Sequence, residues 1–409
     1  MVRGRDSFNR WSQPMKHQKV LECNGMRVLA PHCVIWVLLL AAFSSHVLRP
    51  RQSHAGQSPS QSIQWPPDAN SVLATGASGD LFWAKCNGPL KYCVWQWRNN
   101  RVAPWHECVL PKNAFPMGIL PNGRLAARID GEYCAIALES GTVVERWPAQ
   151  ADLYVIFGQT SRDRRYLSVT AYDPRPSLSL DDSIQVGLMS ADGRVLDLCS
   201  RLTPDYKLKS GTASSAFSVP SEDGKYIGVV NWKNGAAMVD VVNKRVLWTA
   251  SPDHLPGMRN PDQQNAVTWA RIPLEAVDVR ALAFAPDAKT VFLGGVIPSD
   301  QYGATGCVWR MNTKTGKIIH QWGSDKPRPD EYCRYVNDLC VSPDGQFVAA
   351  GTVPTGLVWL ISTKDGACRF LQHNAPSVDW LSFSPDSSHL AAFGNGEIDI
   401  WRISSVGKD

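Results

Sequence analysis

Charged and aromatic side chains suited to recognising a partner gather in a few long polar segments of this 409-residue chain. Asp253, His254 and Arg259 lie in SPDHLPGMRNPDQQNAVTWARIPLEA (251–276), Asp300 and Tyr302 in IPSDQYGATG (297–306), and Asp330, Glu331, Tyr332 and Arg334 in SDKPRPDEYCRY (324–335). Tyr and Arg combine apolar area with directional hydrogen bonds, the pairing that dominates binding energy at protein interfaces. The chemistry these segments offer is therefore recognition of a protein surface. Asp181 and Asp182, in DPRPSLSLDDS (173–183), put two carboxylates side by side, but a hard cation needs a fuller oxygen shell, and a solvated loop accounts for them.

Signals for bond-making chemistry are sparse. Past residue 55 the histidines are His106, His254, His320, His373 and His389, scattered along the chain and without the i, i+4 spacing of a helical metal pair. There is no Gly-x-Ser-x-Gly elbow, Walker loop or dinucleotide fingerprint, and no Cys pair has the CxxC spacing of zinc or redox sites. No catalytic residue, metal ligand or cofactor is assigned. The alternative is an enzyme (a hydrolase, lactonase or oxidoreductase) whose polar or metal site is assembled at a channel mouth from residues far apart in sequence.

The elements that must position these segments are short β-runs separated by two recurrent turns. A first turn appears as ASGD (77–80), LPNG (120–123), SRDR (161–164), SEDG (221–224), APDA (285–288), SPDG (342–345) and SPDS (384–387). Asp, Asn, Gly and Ser there tolerate positive φ or cap the turn, as tight hairpins require. A second turn appears as RNNR (98–101), ESGT (139–142), ADGR (191–194), VNKR (242–245), KTGK (314–317) and KDGA (364–367). Each unit thus reads as four strands, and repeats of this length with four strands predict a β-propeller, in which every small sheet hides its apolar faces against its neighbours.

Seven first turns against six second turns predict an all-β, seven-bladed propeller whose last unit, 376–403, has three strands of its own. A strand at about 61–65 (QSIQW) is expected to complete it and close the ring, pairing an otherwise open sheet edge. The blades are expected at about 70–109, 113–150, 152–201, 213–250, 277–323, 335–373 and 376–403. In such units first and second turns share one face of the disc. The long segments, including 201–213, therefore collect on the other, along an arc of blades three to six where propellers carry binding loops. Surface insertions without function are the competing account of that arc.

SPDGQFVAAG followed by GLVWLISTKDGACRFL, and SFSPDSSHLAAFGNGEIDIWRI, resemble WD-repeat propellers. The resemblance is clear over 275–405 and weaker over 68–251. MNTKTGKIIHQW (311–322) and VDVVNKRVLWTA (239–250) are also similar to quinoprotein-type propeller repeats, a shared hairpin that carries no cofactor with it. The Gly-His dipeptide and Trp-Asp ending of WD repeats are absent; Trp309 and Trp401 stand at the Trp position, each followed by Arg. The resemblance implies a protein-interaction scaffold.

Charge and cysteine usage bound the rest. Of 42 Lys and Arg and 37 Asp and Glu, eight and two fall in residues 1–55, leaving a body with 34 and 35. A neutral body does not track phosphates, so nucleic acid is excluded as a partner. The leader contains an apolar run, CVIWVLLLAAF (33–43), with six basic residues before it and two after. A run of this length suits a signal peptide cleaved near 42–44 or 53–55, whereas a span needs about 20 apolar residues, reachable only by Val28–Leu48 as a signal anchor. A buried core helix is the remaining reading, and Met26 is an alternative start. The expected location is periplasmic or extracellular, or anchored by about 28–48, with membrane contact only through that segment and the chain monomeric. Cys86 and Cys93 flank a Gly-Pro turn at a spacing that facing strands could bridge. Trp95, Trp97, Trp309, Trp359 and Trp401 on third strands, and Trp105, Trp147, Trp248 and Trp322 on fourth strands, are expected to pack between blades. Trp232 and Trp269 are left as stacking candidates.

Overall fold

The computed structural model describes residues 57–64, 75–78, 81–85, 91–99, 101–120, 122–130, 132–147, 154–161, 165–172, 185–190, 195–199, 216–231, 235–250, 279–299, 303–323 and 335–403. The chain divides into two units, Met1–Ser53 and His54–Asp409. The first unit, and with it the leader and its apolar run, lies outside the described residues. Among the described residues no helix is long and apolar enough to cross a membrane.

The second unit is all β. After β1 (Gln61–Gln64), blade one is β2 (Thr75–Ser78), β3 (Leu81–Lys85), β4 (Lys91–Arg98) and β5 (Arg101–Val109). Blade two is β6 (Phe115–Ile119), β7 (Leu125–Ile129), β8 (Glu132–Ile136) and β9 (Val143–Trp147). Blade three is β10 (Tyr154–Thr160), β11 (Tyr166–Tyr172), β12 (Gln185–Ser190) and β13 (Val195–Cys199). Blade four is β14 (Ala216–Pro220), β15 (Tyr226–Asn231), β16 (Gly235–Asp240) and β17 (Arg245–Ala250). Blade five is β18 (Val279–Phe284), β19 (Thr290–Ser299), β20 (Gly303–Asn312) and β21 (Ile318–Trp322). Blade six is β22 (Tyr335–Val341), β23 (Phe347–Val353), β24 (Leu357–Ser362) and β25 (Cys368–Gln372), and the last own strands are β26 (Trp380–Phe383), β27 (His389–Gly394) and β28 (Glu397–Arg402).

These form seven four-stranded antiparallel sheets, six of them in sequence order and the seventh in the order β1-β28-β27-β26. β1 is the outer strand of blade seven, with Gln61 opposite Ile400 and Gln64 opposite Glu397. Blade seven also meets blade one directly: the Trp97 and His389 rings stand 6.5 Å apart. The ring is closed, as the surplus first turn predicts.

The first turns sit where expected because their residues fit them. Gly345, Ser387 and Ala288 hold φ of +72°, +63° and +54° at equivalent positions. Asp223, Asp287, Asp344 and Asp386 each accept the backbone N–H two residues on, at 2.9–3.1 Å. In three of these turns the opening Ser hydroxyl donates to the same carboxylate. Such local bonds stop one strand and start the next without leaving backbone groups unpaired.

The core is divided among the gaps between blades. Side chains alternate across each sheet, so neighbouring residues of one strand serve different gaps. Leu293 packs against Val230 and Met238 of blade four, while Phe292 packs toward Val336, Val348 and Trp359 of blade six. Both faces are buried, which explains why middle strands such as LVWLIS are solidly apolar. Glycine lets the blades approach. A Cβ at Gly294 would stand 2.6 Å from Val336 Cγ1 on the inner strand of blade six, and one at Gly351 2.4 Å from Val378 Cγ1, just before the inner strand of blade seven.

Tryptophans bind the gaps together. Trp248 Nε1 donates to Thr313 O at 2.7 Å and Trp322 Nε1 to Gly366 O at 2.9 Å, each reaching the second turn of the following blade. Trp97, Trp309, Trp359 and Trp401 are buried. Trp95, Trp105 and Trp147 fall on their expected strands, but their side chains, like Trp232 and Trp269 as a whole, lie outside the described residues.

One element differs from the sequence reading. The segment 297–306 is largely paired strand: β19 and β20 continue to a Ser299–Gly303 pair. Its Pro298 marks it as a loop in sequence, since proline cannot serve a central strand. The inner strand β18 stops pairing at Gly295, however, so Pro298 has β-neighbours on one side only.

Candidate functional site

Strand direction alternates in every blade. The β11–β12 and β19–β20 connections and the links between blades therefore share the face opposite the first and second turns. The segments 173–183, 201–213, 251–276 and 324–335 all belong to that face by chain order. Asp253, His254, Arg259, Asp300, Tyr302, Asp330, Glu331, Tyr332 and Arg334 lie outside the described residues, as do Asp181 and Asp182. The structure therefore fixes the strand ends from which these segments leave and not their side chains. Cys86 also lies outside the described residues; across the β3–β4 pair, Cys93 opposes Ala84.

Two polar constellations that sequence spacing does not reveal are assembled by the ring. The first is the closing clasp. Gln57 forms a parallel bridge with Leu371 on the outer strand of blade six, its N–H donating to Phe370 O at 3.3 Å. Its carbonyl accepts Trp401 Nε1 of blade seven at 3.0 Å. Further along, Ser60 donates to Ile400 O through both N–H (2.7 Å) and hydroxyl (2.8 Å).

Below this seam Asp399 is fully buried and accepts several donors. His373 Nδ1 stands 2.6 Å from Oδ2, the Asn374 N–H donates to Oδ2 at 2.7 Å, and Asn374 Nδ2 donates to Oδ1 at 2.9 Å. The Ser62 hydroxyl of β1 donates to Oδ1 as well. Burial pushes the Asp399 carboxyl up, but the hydrogen bonds from His373, Ser62 and Asn374 outweigh it and hold the group below its ordinary value. The Ser–Asp–His order has the wrong sense for a nucleophilic triad, because Ser62 bonds the acid and not the imidazole. His373 Nε2 faces the backbone at Gly394 and is buried without a hydrogen-bond partner. This constellation locks the first strand to the last.

The second constellation is a cavity of about 130 Å³ among the inner strands of blades three to seven. It reaches the first turns through Glu222, Pro286 and Pro343, and Phe284, Asp338 and Leu381 also line it. Asp338 is aimed by a bulge between Val336 and Asp338, where the β22–β23 register shifts. Its Oδ2 accepts the Leu381 N–H of blade seven at 2.7 Å. Desolvation raises the Asp338 carboxyl to about 7, against the lowering effect of the Leu381 and Leu339 amides and assisted by Asp379. Burial also raises Asp379 and the Cys340 thiol. Among the described residues no group of three or more His, Cys, Asp or Glu could hold a metal ion.

With this geometry in place, the comparisons agree on class. The chain is a β-propeller similar, over part of its length, to WD repeat-containing proteins. It is 31% identical over 118 residues, 29% of its length, to WD repeat-containing protein SL1-17 of Schistosoma mansoni, and 35% identical over 72 residues, 17% of its length, to WD repeat-containing protein 18 of Danio rerio. These matches span 34% and 16% of those relatives. A chain in the crystal structure of a mitotic checkpoint complex superposes with a TM-score of 0.54 and 14% identity, covering 95% of this chain and 99% of that one. No family model matches.

Proposed function

We propose that the protein is a non-catalytic scaffold that binds a protein partner through the long connections of blades three to six, acting as a monomer outside the cytoplasm. The observation that carries this reading is topological. On one face the connections are short in sequence, and four described first turns are capped by their own Asp, while by chain order the segments 173–183, 201–213, 251–276 and 324–335 leave the ring on the other. A rigid ring with variable loops on one side is a binding architecture. The relatives' printed names, as WD repeat-containing proteins, and the occurrence of a similar ring in a multi-protein complex agree with it.

The basic-flanked apolar run 33–43 supports export, and Gln57, which bonds to blades six and seven, follows both candidate cleavage regions. Cleavage after Ala55 would leave the closing strand on the mature ring.

The test is a paired capture experiment with the full chain and a variant whose 251–276 and 324–335 loops are shortened. The reading expects a partner cross-linked to the intact chain and lost with the loops at unchanged melting temperature. Retention of the same partner by the shortened chain overturns it. Recovery of an uncleaved, soluble cytosolic chain by fractionation and N-terminal sequencing overturns the location.

A further inference from the structure

We propose that the cavity at the first-turn end of the channel is a second recognition site, taking one arginine or lysine side chain from a partner protein, with its cationic head on Asp338. This shares with the reading above only the premise that the ring carries partners, and it uses the opposite face.

The geometry supplies each part of such a site. Five consecutive inner strands, from blades three to seven, contribute to the cavity, so it exists only once these blades are packed side by side. Its size, about 130 Å³, suits one long side chain and not a folded ligand. Phe284, Leu381 and Trp380 line the cavity together with the buried Asp338, which gives an aliphatic stem apolar surface and its cationic head a carboxyl in one place. A carboxylate can accept about four hydrogen bonds, and the Leu381 N–H occupies one site on Oδ2. By sequence the turns framing the mouth carry Asp163, Glu222, Asp223, Asp287, Asp344 and Asp386 against Arg162, Arg164, Arg165, Lys225 and Lys289, a nearly balanced rim, so the charge that selects a cation is that of Asp338 inside. A cation entering the cavity meets an acid whose ionisation it stabilises.

The acid's state sharpens the inference. Left alone, Asp338 is held up to about 7 by desolvation, with Asp379 of blade seven adding like charge; Cys340 on its own strand and Glu222 at the rim are the other titratable groups nearby. A bound cation lowers that value, so binding at neutral pH must release protons. A neutral ligand of the same shape releases none.

Isothermal titration of the full chain with N-acetyl-arginine N′-methylamide, beside its citrulline counterpart, tests this. The proposal expects saturable binding of the arginine probe, at least about tenfold weaker binding of citrulline, and heats at pH 7 that vary with the buffer's ionisation enthalpy through proton release. Asp338→Asn keeps an oxygen for the Leu381 N–H and is expected to fold; it should lose at least about tenfold in affinity and all the proton release, with Glu222→Gln losing less. Equal binding of the two probes, unchanged binding by Asp338→Asn, or no saturation by the arginine probe overturns the proposal. Shortening the 251–276 and 324–335 loops should leave this binding unchanged, which separates its failure from failure of the loop-face reading.

Discussion

At the scale of single residues, stability depends on buried acids in opposite situations. Asp399 is satisfied by donors from three residues, and its ionised form is the stable one. Asp399→Asn replaces an acceptor with a donor amid those groups and should cost about 2–4 kcal/mol in chemical denaturation. Ser62→Ala should cost about 1 kcal/mol. Because the folded-state value of Asp399 is depressed, its contribution is present above its unfolded value and lost as pH falls through the folded one. Asp338 has the reverse sign. Its folded value is raised, so it costs nothing while protonated in both states, and its penalty grows from its ordinary 3.8 up to about 7. Asp338→Asn should therefore gain stability over the natural chain as pH rises from 5 to 8, by a few kcal/mol at most. A pH-independent difference between the two would show that the carboxyl is not desolvated. Neither acid announces itself in sequence. Ser62 and Asp399 are 337 positions apart, and the cavity takes only a few residues from each of five blades.

At the scale of elements, the turns were readable because their chemistry is local. Ser, Asp and Gly within SPDG satisfy one another and supply positive φ, so seven repeats could be counted without knowledge of the fold. Ala288 is the exception that tests this logic, a residue with a Cβ held at φ +54°. Ala288→Gly should stabilise the protein by about 0.5–1 kcal/mol, relieving a left-handed strain that exceeds the added chain entropy. At Gly351 the opposite change should be harmful. A methyl group there meets Val378 of blade seven at 2.4 Å, and Gly351→Ala should cost about 1–3 kcal/mol by melting temperature. The extension of β19 and β20 was not readable, since Pro298 suppresses strand character and its tolerance depends on where the neighbouring strand β18 ends.

At the scale of the whole molecule, the count of turns carried more information than any single motif. An unmatched first turn implies a blade short of one strand, and β1, from the stretch before blade one, supplies it. The cost of that arrangement is long-range dependence: blade six, blade seven and the first strand are held by one seam of Gln57, Ser60, Ser62 and Asp399. A ring stabilised by interfaces between blades loses its closing interface as a unit. The direct measurement is thermal unfolding of the chain lacking residues 57–64, with and without a synthetic peptide covering them. Closure by β1 predicts a single transition at markedly lower temperature, restored toward the original by the peptide added in trans. An unchanged melting temperature, or loosening confined to amides of blade seven, would contradict a ring closed by its own first strand.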